Sequence, residues 1–127
     1  MSESVRFFES QLPFPFSVAT EVNGVLYLSG QVSITGSAEP VYGSITTQTA
    51  NILRGISKTL AEMDSGFDRI FRVTVWLSDM KHFSEFNQEY ARWFSHRYPA
   101  RTVTGAQLAF GLDVEIEVQA LTTSLNN

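Results

Sequence analysis

The polar and apolar residues of this chain change period several times, and each change marks an element. Phe16 to Glu21 and Leu26 to Ser29 are strand-like runs joined through Val22-Asn23-Gly24-Val25. Asn-Gly tolerates positive φ at both central positions, so the spacing predicts a tight antiparallel hairpin. Gly30, Gly36, Pro40 and Gly43 then punctuate a loop. From about Thr46 to Met63, Ile45, Ile52, Leu53, Ile56, Leu60 and Met63 recur at helical spacing, while Gln48, Arg54, Lys58 and Glu62 lie off that face. Asp64-Ser65-Gly66 supplies the stop, with glycine expected past the helix end. Phe71 to Ser78 alternates, which predicts a strand with Phe71, Val73, Val75 and Leu77 on one face and Arg72, Thr74 and Trp76 on the other. Phe83, Phe86, Tyr90, Trp93 and Phe94 return to helical spacing up to Tyr98-Pro99, where proline disfavours helix at the residue before it. Two more strands are expected at about Thr102 to Leu108 and Val114 to Leu121.

The order β-β-α-β-α-β-β predicts an α+β domain, a mixed sheet covered on one face by two helices with a crossover through each helix. That arrangement leaves the second sheet face bare. A chain of 127 residues has no third layer to spare, so another copy packing sheet to sheet is the economical cover. The mixed Thr74-Trp76 face suits an interface.

Composition narrows the picture without changing it. The length fits one domain spanning residues 1–127, and a 43% hydrophobic share with ten Phe, four Tyr and two Trp supports a packed core. There is no Cys, which excludes disulfides, thiolate metal sites and a cysteine nucleophile. Met1 to Arg6 carries no basic, then apolar, leader and the apolar runs are only about four residues long, so neither a signal peptide nor a membrane span is expected and the cytosol is the expected compartment. The net charge is −4, and the nine basic residues are scattered among acids. Nucleic-acid binding needs concentrated positive charge, so a small anionic ligand is the better expectation.

Candidate chemistry centres on Arg101. Pro99-Ala100-Arg101-Thr102 puts a guanidinium at the mouth of a strand, and its planar fork of donors matches a carboxylate at two points. The plain alternative is a surface arginine, or one paired with Glu115 or Glu117. Those two glutamates lie two apart on a strand and so share a face, a spacing suited to proton work if Arg101 lies close and otherwise an ordinary polar face. Ser29 ends a strand but lacks a nucleophile elbow and a histidine partner. No phosphate-binding loop is present, and His82 and His96 are isolated helix-end residues without metal-ligand spacing. Asn87 is most simply a surface position.

Taken in order, Pro15-Phe16-Ser17, Leu28-Ser29-Gly30-Gln31, Thr47-Gln48-Thr49, Val73 to Met80, Phe86-Asn87, Tyr90, Pro99-Ala100-Arg101 and Val114-Glu115-Ile116-Glu117 resemble the RidA/YjgF family of reactive-intermediate deaminases. The likeness runs from about Phe14 to Leu121. It implies a chorismate-mutase-like protomer assembled as a homotrimer with clefts between adjacent subunits, and no metal or cofactor. It also implies hydrolysis of enamines and imines such as 2-aminoacrylate to 2-keto acids and ammonia. By the same resemblance Arg101 binds the substrate carboxylate, Glu115 holds the attacking water, and Ser29 and Asn87 line the cleft. Phe16 stands where the family pattern has tyrosine and Val103 near where it often has cysteine, so this cleft has lost a hydroxyl and a thiol and is expected to favour a larger or more apolar imine. Two other functions compete: a non-catalytic protein that senses a small carboxylate in the same cleft, and a ribonuclease, which the acidic charge and the lack of paired histidines disfavour.

Overall fold

A computed structural model describes residues 4–122 of the chain. Two short strands flank the expected hairpin, which is formed as the Asn-Gly signal predicts. β1 (Arg6–Glu9) pairs antiparallel with β2 (Ser17–Val22), and β2 with β3 (Val25–Leu28). The turn between β2 and β3 places Asn23 at φ 50° and Gly24 at φ 80°, the left-handed pair that matches strand twist. β4 (Gln31–Val32) follows at once and pairs with the last strand. Neither β1 nor β4 is visible in the residue pattern, because four and two residues are too few to establish alternation.

Helix α1 (Ile45–Glu62) begins at Ser44, whose hydroxyl accepts the Thr47 amide at 3.0 Å. Its end differs from expectation. The left-handed residue is Asp64 (φ 58°) rather than Gly66, which is extended, and the Ser65 amide bonds back to the Leu60 carbonyl at 2.8 Å. Aspartate tolerates this conformation better than most side chains.

β5 (Ile70–Leu77) corrects the expected facing at one residue. Val73, Val75 and Leu77 are buried, but Phe71 is exposed and Ile70 takes the inward place, because the pairing with the last strand shifts register between Ile70 and Arg72. A bulge thus breaks the alternation that strict two-residue counting assumes. Helix α2 (Phe83–Ala91) also stops short of Tyr98-Pro99. The helical spacing of the aromatics survives because the Trp93 and Phe94 amides bond three residues back, to Tyr90 and Ala91, and both rings then pack on Phe67 with centroids 5.8 and 5.2 Å away. β6 (Ala100–Gly105) starts immediately after Pro99, two residues before the expected Thr102. β7 (Val114–Leu121) agrees with its expected bounds.

The strands form one mixed sheet in the order β1-β2-β3-β7-β5-β6, with β4 beside β7 and only β5 and β6 parallel. Ile52, Leu53, Ile56 and Leu60 of α1 and Phe86 of α2 are buried against Leu26, Val73, Val75, Ile116 and Val118. Each such aliphatic side chain contributes about 1.5–3 kcal/mol. Among the described residues nothing covers the other face, which presents Tyr27, Thr74, Trp76, Thr102, Glu115 and Glu117.

Gln48 joins three elements from within the core. Its Nε2 donates to the Gly43 carbonyl and to Asp113 Oδ2, both at 3.1 Å, and its Oε1 accepts the Asp113 amide at 2.9 Å. Asp113 in turn accepts the Ser78 hydroxyl at 2.6 Å and, through its carbonyl, the Ser78 amide at 2.9 Å. The start of α1, the end of β5 and the entry to β7 are therefore held as a unit. Gln48→Ala should destabilise the fold by about 2–4 kcal/mol, because it leaves a buried amide and carbonyl unpaired and a small void behind. Urea denaturation reads this directly, and a loss under about 0.5 kcal/mol would contradict the clamp.

Candidate functional site

Strand register decides where the candidate residues go. Arg101 on β6 lies beside Val73 of β5, and Val103 beside Val75, so both point to the helix-covered side. The Arg101 guanidinium lies 4.9 Å from the ring centre of Tyr90, 5.7 Å from that of Phe86 and 5.8 Å from that of Phe83, all on α2. Three ring faces hold the charge in place without consuming its hydrogen-bond donors. No carboxylate among the described residues reaches Arg101, so it is neither paired with Glu115 nor with Glu117.

Two polar groups beside it are left unsatisfied. Asn87 Oδ1 and Tyr90 Oη are buried without a hydrogen-bond partner, and helical spacing places Asn87 one turn after Phe83 and three residues before Tyr90. Asn87 is therefore more than a surface position. Burial pushes the Tyr90 phenol up to about 12, against the lowering effect of Arg101, so it remains a neutral donor. A buried unpaired polar atom costs about 1–3 kcal/mol; a bound carboxylate can accept from the Tyr90 hydroxyl, and an imine N–H can donate to Asn87 Oδ1.

Glu115 occupies a different place. It alternates with buried Val114 and Ile116 on β7 and lies opposite Trp76, so it points to the uncovered face. Its carboxylate sits directly over Gly30, where an added Cβ would collide with a carboxylate oxygen. Burial, and secondarily the neighbouring charge of Glu117, holds its carboxyl above the usual carboxylate range. Ser29, next to Gly30, donates its hydroxyl to the Ser17 carbonyl at 2.7 Å. Phe16 adjoins Ser17 and stacks on Phe14 with centroids 6.2 Å apart. Ser29 and Glu115 thus lie at one end of the sheet, with Phe16 beside them along the chain through Ser17, while Arg101, Asn87 and Val103 lie on its other side. Arg101 and Glu115 are two strands apart and three residues along, about 14 Å, with side chains on opposite faces.

The sequence pattern alone does not single out Tyr90 or Gly30 as functional. Tyr90 reads as one more core aromatic, and Gly30 reads as loop punctuation. The signal for each is a pairing across the fold, Tyr90 with Arg101 and Gly30 with Glu115.

The model of the endoribonuclease L-PSP family, which is the YjgF/RidA family, matches residues 10–122. The chain belongs to this family. The YjgF/RidA relatives include "Protein MMF1, mitochondrial" of Saccharomyces cerevisiae, 40% identical over 84% of this chain and 74% of that protein. AldR of Lactococcus lactis, which carries a regulator's name, is 39% identical over 84% of this chain and 86% of that one. The crystal structure of YyfA from Yersinia pestis, described as a Rid family protein of unknown function, superposes with a TM-score of 0.87 at 31% identity, covering 94% of this chain and all of that one. The mixed sheet with two helices on one face is thus the YjgF/RidA fold. Among the described residues no helix is long and apolar enough to cross a membrane, and no cluster of three or more His, Cys, Asp or Glu could hold a metal ion.

The charge environment of Glu115 generates one test. Glu117→Gln removes the like charge but not the burial, so the Glu115 carboxyl should titrate at lower pH than in the parent protein while staying above its ordinary range. Side-chain carboxyl NMR titration measures this; an upward or absent shift would mean that Glu117 does not act on Glu115.

Proposed function

We propose that this protein hydrolyses reactive 2-imino acids, and the enamines that tautomerise to them, to 2-keto acids and ammonium at a site shared by two copies of the chain. The observation that carries this reading is Arg101, a guanidinium free of any carboxylate partner among the described residues, seated on three aromatic faces beside the unsatisfied Asn87 Oδ1 and Tyr90 Oη. That is half of a site for a carboxylate-bearing ligand. Glu115 is the other half. Because the two face opposite sides of one sheet, a ligand touching both needs Arg101 from one chain and Glu115 from a neighbour. A homotrimer formed over the uncovered sheet face supplies three such pairs, and it is the assembly that the family resemblance implies.

In this arrangement Arg101 binds the substrate carboxylate in a two-point fork. Glu115, whose affinity for a proton is raised by its burial, accepts a proton from a water positioned over the iminium carbon. The water oxygen bonds to that carbon as the C=N electrons move to nitrogen. Glu115 returns the proton to the nitrogen and then takes the hydroxyl proton as the C–N bond breaks; that proton passes to the departing ammonia, so a 2-keto acid and ammonium leave and the protein is unchanged. No group beyond the chain's own residues and water is needed, and position supplies most of the acceleration. Phe16 contributes a ring but no hydrogen bond, and Val103 adds a further apolar side chain on the Arg101 side, which together favour bulky apolar imines over 2-aminoacrylate.

A second reading has its own support. The Ser29 hydroxyl proton is committed to the Ser17 carbonyl and Phe16 has no hydroxyl, so fewer donors face the Glu115 end than a site built around tyrosine would offer. A carboxylate sensor without turnover would use the same Arg101.

Arg101→Lys should fold and assemble as the parent does yet lose about 10- to 100-fold in kcat/KM, since lysine keeps the charge but not the fork. The check is ammonia release from 2-imino acids generated in place by an amino-acid oxidase. Unchanged turnover in the lysine variant puts the carboxylate clamp elsewhere. Binding of 2-keto acids without ammonia release by the parent protein favours the sensor.

A further inference from the structure

The strongest unexplained feature lies at the Glu115 end. Phe14, Phe16 and Phe110 are 36, 42 and 44% exposed, large apolar side chains that a fold ordinarily hides. They are not scattered. Phe14 stacks on Phe16 at 6.2 Å with planes 20° apart, and contacts Phe110 at 6.1 Å with planes 47° apart. The three rings come from two segments far apart in sequence, before β2 and before β7.

Phe110 holds its place in a strained conformation. Its φ is 63°, in the left-handed region that a bulky side chain rarely occupies, although Gly111 beside it takes φ 65° without penalty. A glycine at position 110 would relax the backbone and remove the ring. The Tyr42 hydroxyl donates to the Phe110 carbonyl at 2.7 Å, and the Leu112 side chain two residues on is fully buried. A tether on one side and an anchor on the other fix a conformation whose visible product is the position of one exposed ring.

The cluster adjoins the proposed site through the chain. Phe16 precedes Ser17, Ser17 accepts the Ser29 hydroxyl, and Gly30 lies under the Glu115 carboxylate. We infer that Phe14, Phe16 and Phe110 form an aromatic wall that receives the side chain of the substrate, which makes the preferred substrate an aromatic 2-imino acid, and that Tyr42 is a positioning residue for Phe110. This rests on the reading of the site as one for 2-imino acids. A planar ring extends an existing offset stack with more contact than a branched aliphatic group of the same size, whereas a methyl group would reach none of the three rings.

The test compares kcat/KM for 2-imino acids generated in place from phenylalanine and from alanine. The parent protein should favour the phenylalanine-derived imine. Phe110→Gly should lower that preference about tenfold or more. Tyr42→Phe retains every ring and removes only the tether, and should lower the preference in the same direction by a smaller factor, mainly through KM for the aromatic substrate. Native mass spectrometry and thermal unfolding accompany each variant. A parent without preference for the aromatic imine overturns the proposal, as does a preference unmoved in both variants. So does loss of assembly in Phe110→Gly with an unmoved preference in Tyr42→Phe, which would make the rings a subunit contact.

Calorimetry with 3-phenylpyruvate and pyruvate separates this idea from the deaminase reading. Tight, selective binding of phenylpyruvate without turnover of any imine would sustain the wall and remove the chemistry. Equal binding of the two acids would remove the wall alone, and no binding of either would remove both.

Discussion

Alternation along a strand is the constraint on which the rest of this structure depends. Successive side chains on a strand go to opposite faces, and the register of β6 on β5 and of β5 on β7 therefore sends Arg101 to the helix side and Glu115 to the bare side. No rotamer brings them together across the sheet's own thickness. In the proposed reading each of these two groups is half of a site, and the uncovered face that carries Glu115 is where a second chain would complete it. The bare face and the proposed division of the site follow from one geometry.

Each half is prepared by local packing. Arg101 is held by ring faces, which steady a cation while leaving its N–H groups available. Glu115 rests on Gly30, the position at which any side chain would displace it, and its depth together with Glu117 raises its hold on a proton. Gln48 and Asp113 fix the entry to β7 two residues before Glu115, so the carboxylate inherits the rigidity of the core. These hydrogen bonds lie where the entry to an eight-residue strand must be placed accurately.

Much of this could be read in the residues, and the failures have physical reasons. The Asn23-Gly24 hairpin, the α1 stripe from Ile45 to Leu60 and the β7 alternation are dictated by local chemistry, and the structure has them where the pattern puts them. Phe71 defeated the same counting because a bulge inserts one residue into the alternation, and a bulge depends on the partner strand. Asp64 took the cap expected of Gly66 because aspartate also tolerates the left-handed region. Asn87 looked like surface because its burial is created by tertiary packing around α2. Arg101 and Glu115 were legible as residue types in a pattern, but their facing was not, since it needs the register of three strands at once. The Phe110 conformation and its Tyr42 tether join positions 68 residues apart, a relation that no local window contains.

The central claim is that each site takes Arg101 and Glu115 from different chains, and subunit mixing tests it most directly. Arg101→Ala and Glu115→Gln proteins, each inactive alone, would be unfolded together in equal amounts, refolded, and assayed for imine hydrolysis. If sites are shared, a site is intact whenever the neighbour supplying each group is the variant that retains it, so the mixture should recover about a quarter of the wild-type rate per chain. A mixture no more active than the average of the two separate variants, with mixed assemblies verified by native mass spectrometry, would contradict a shared site.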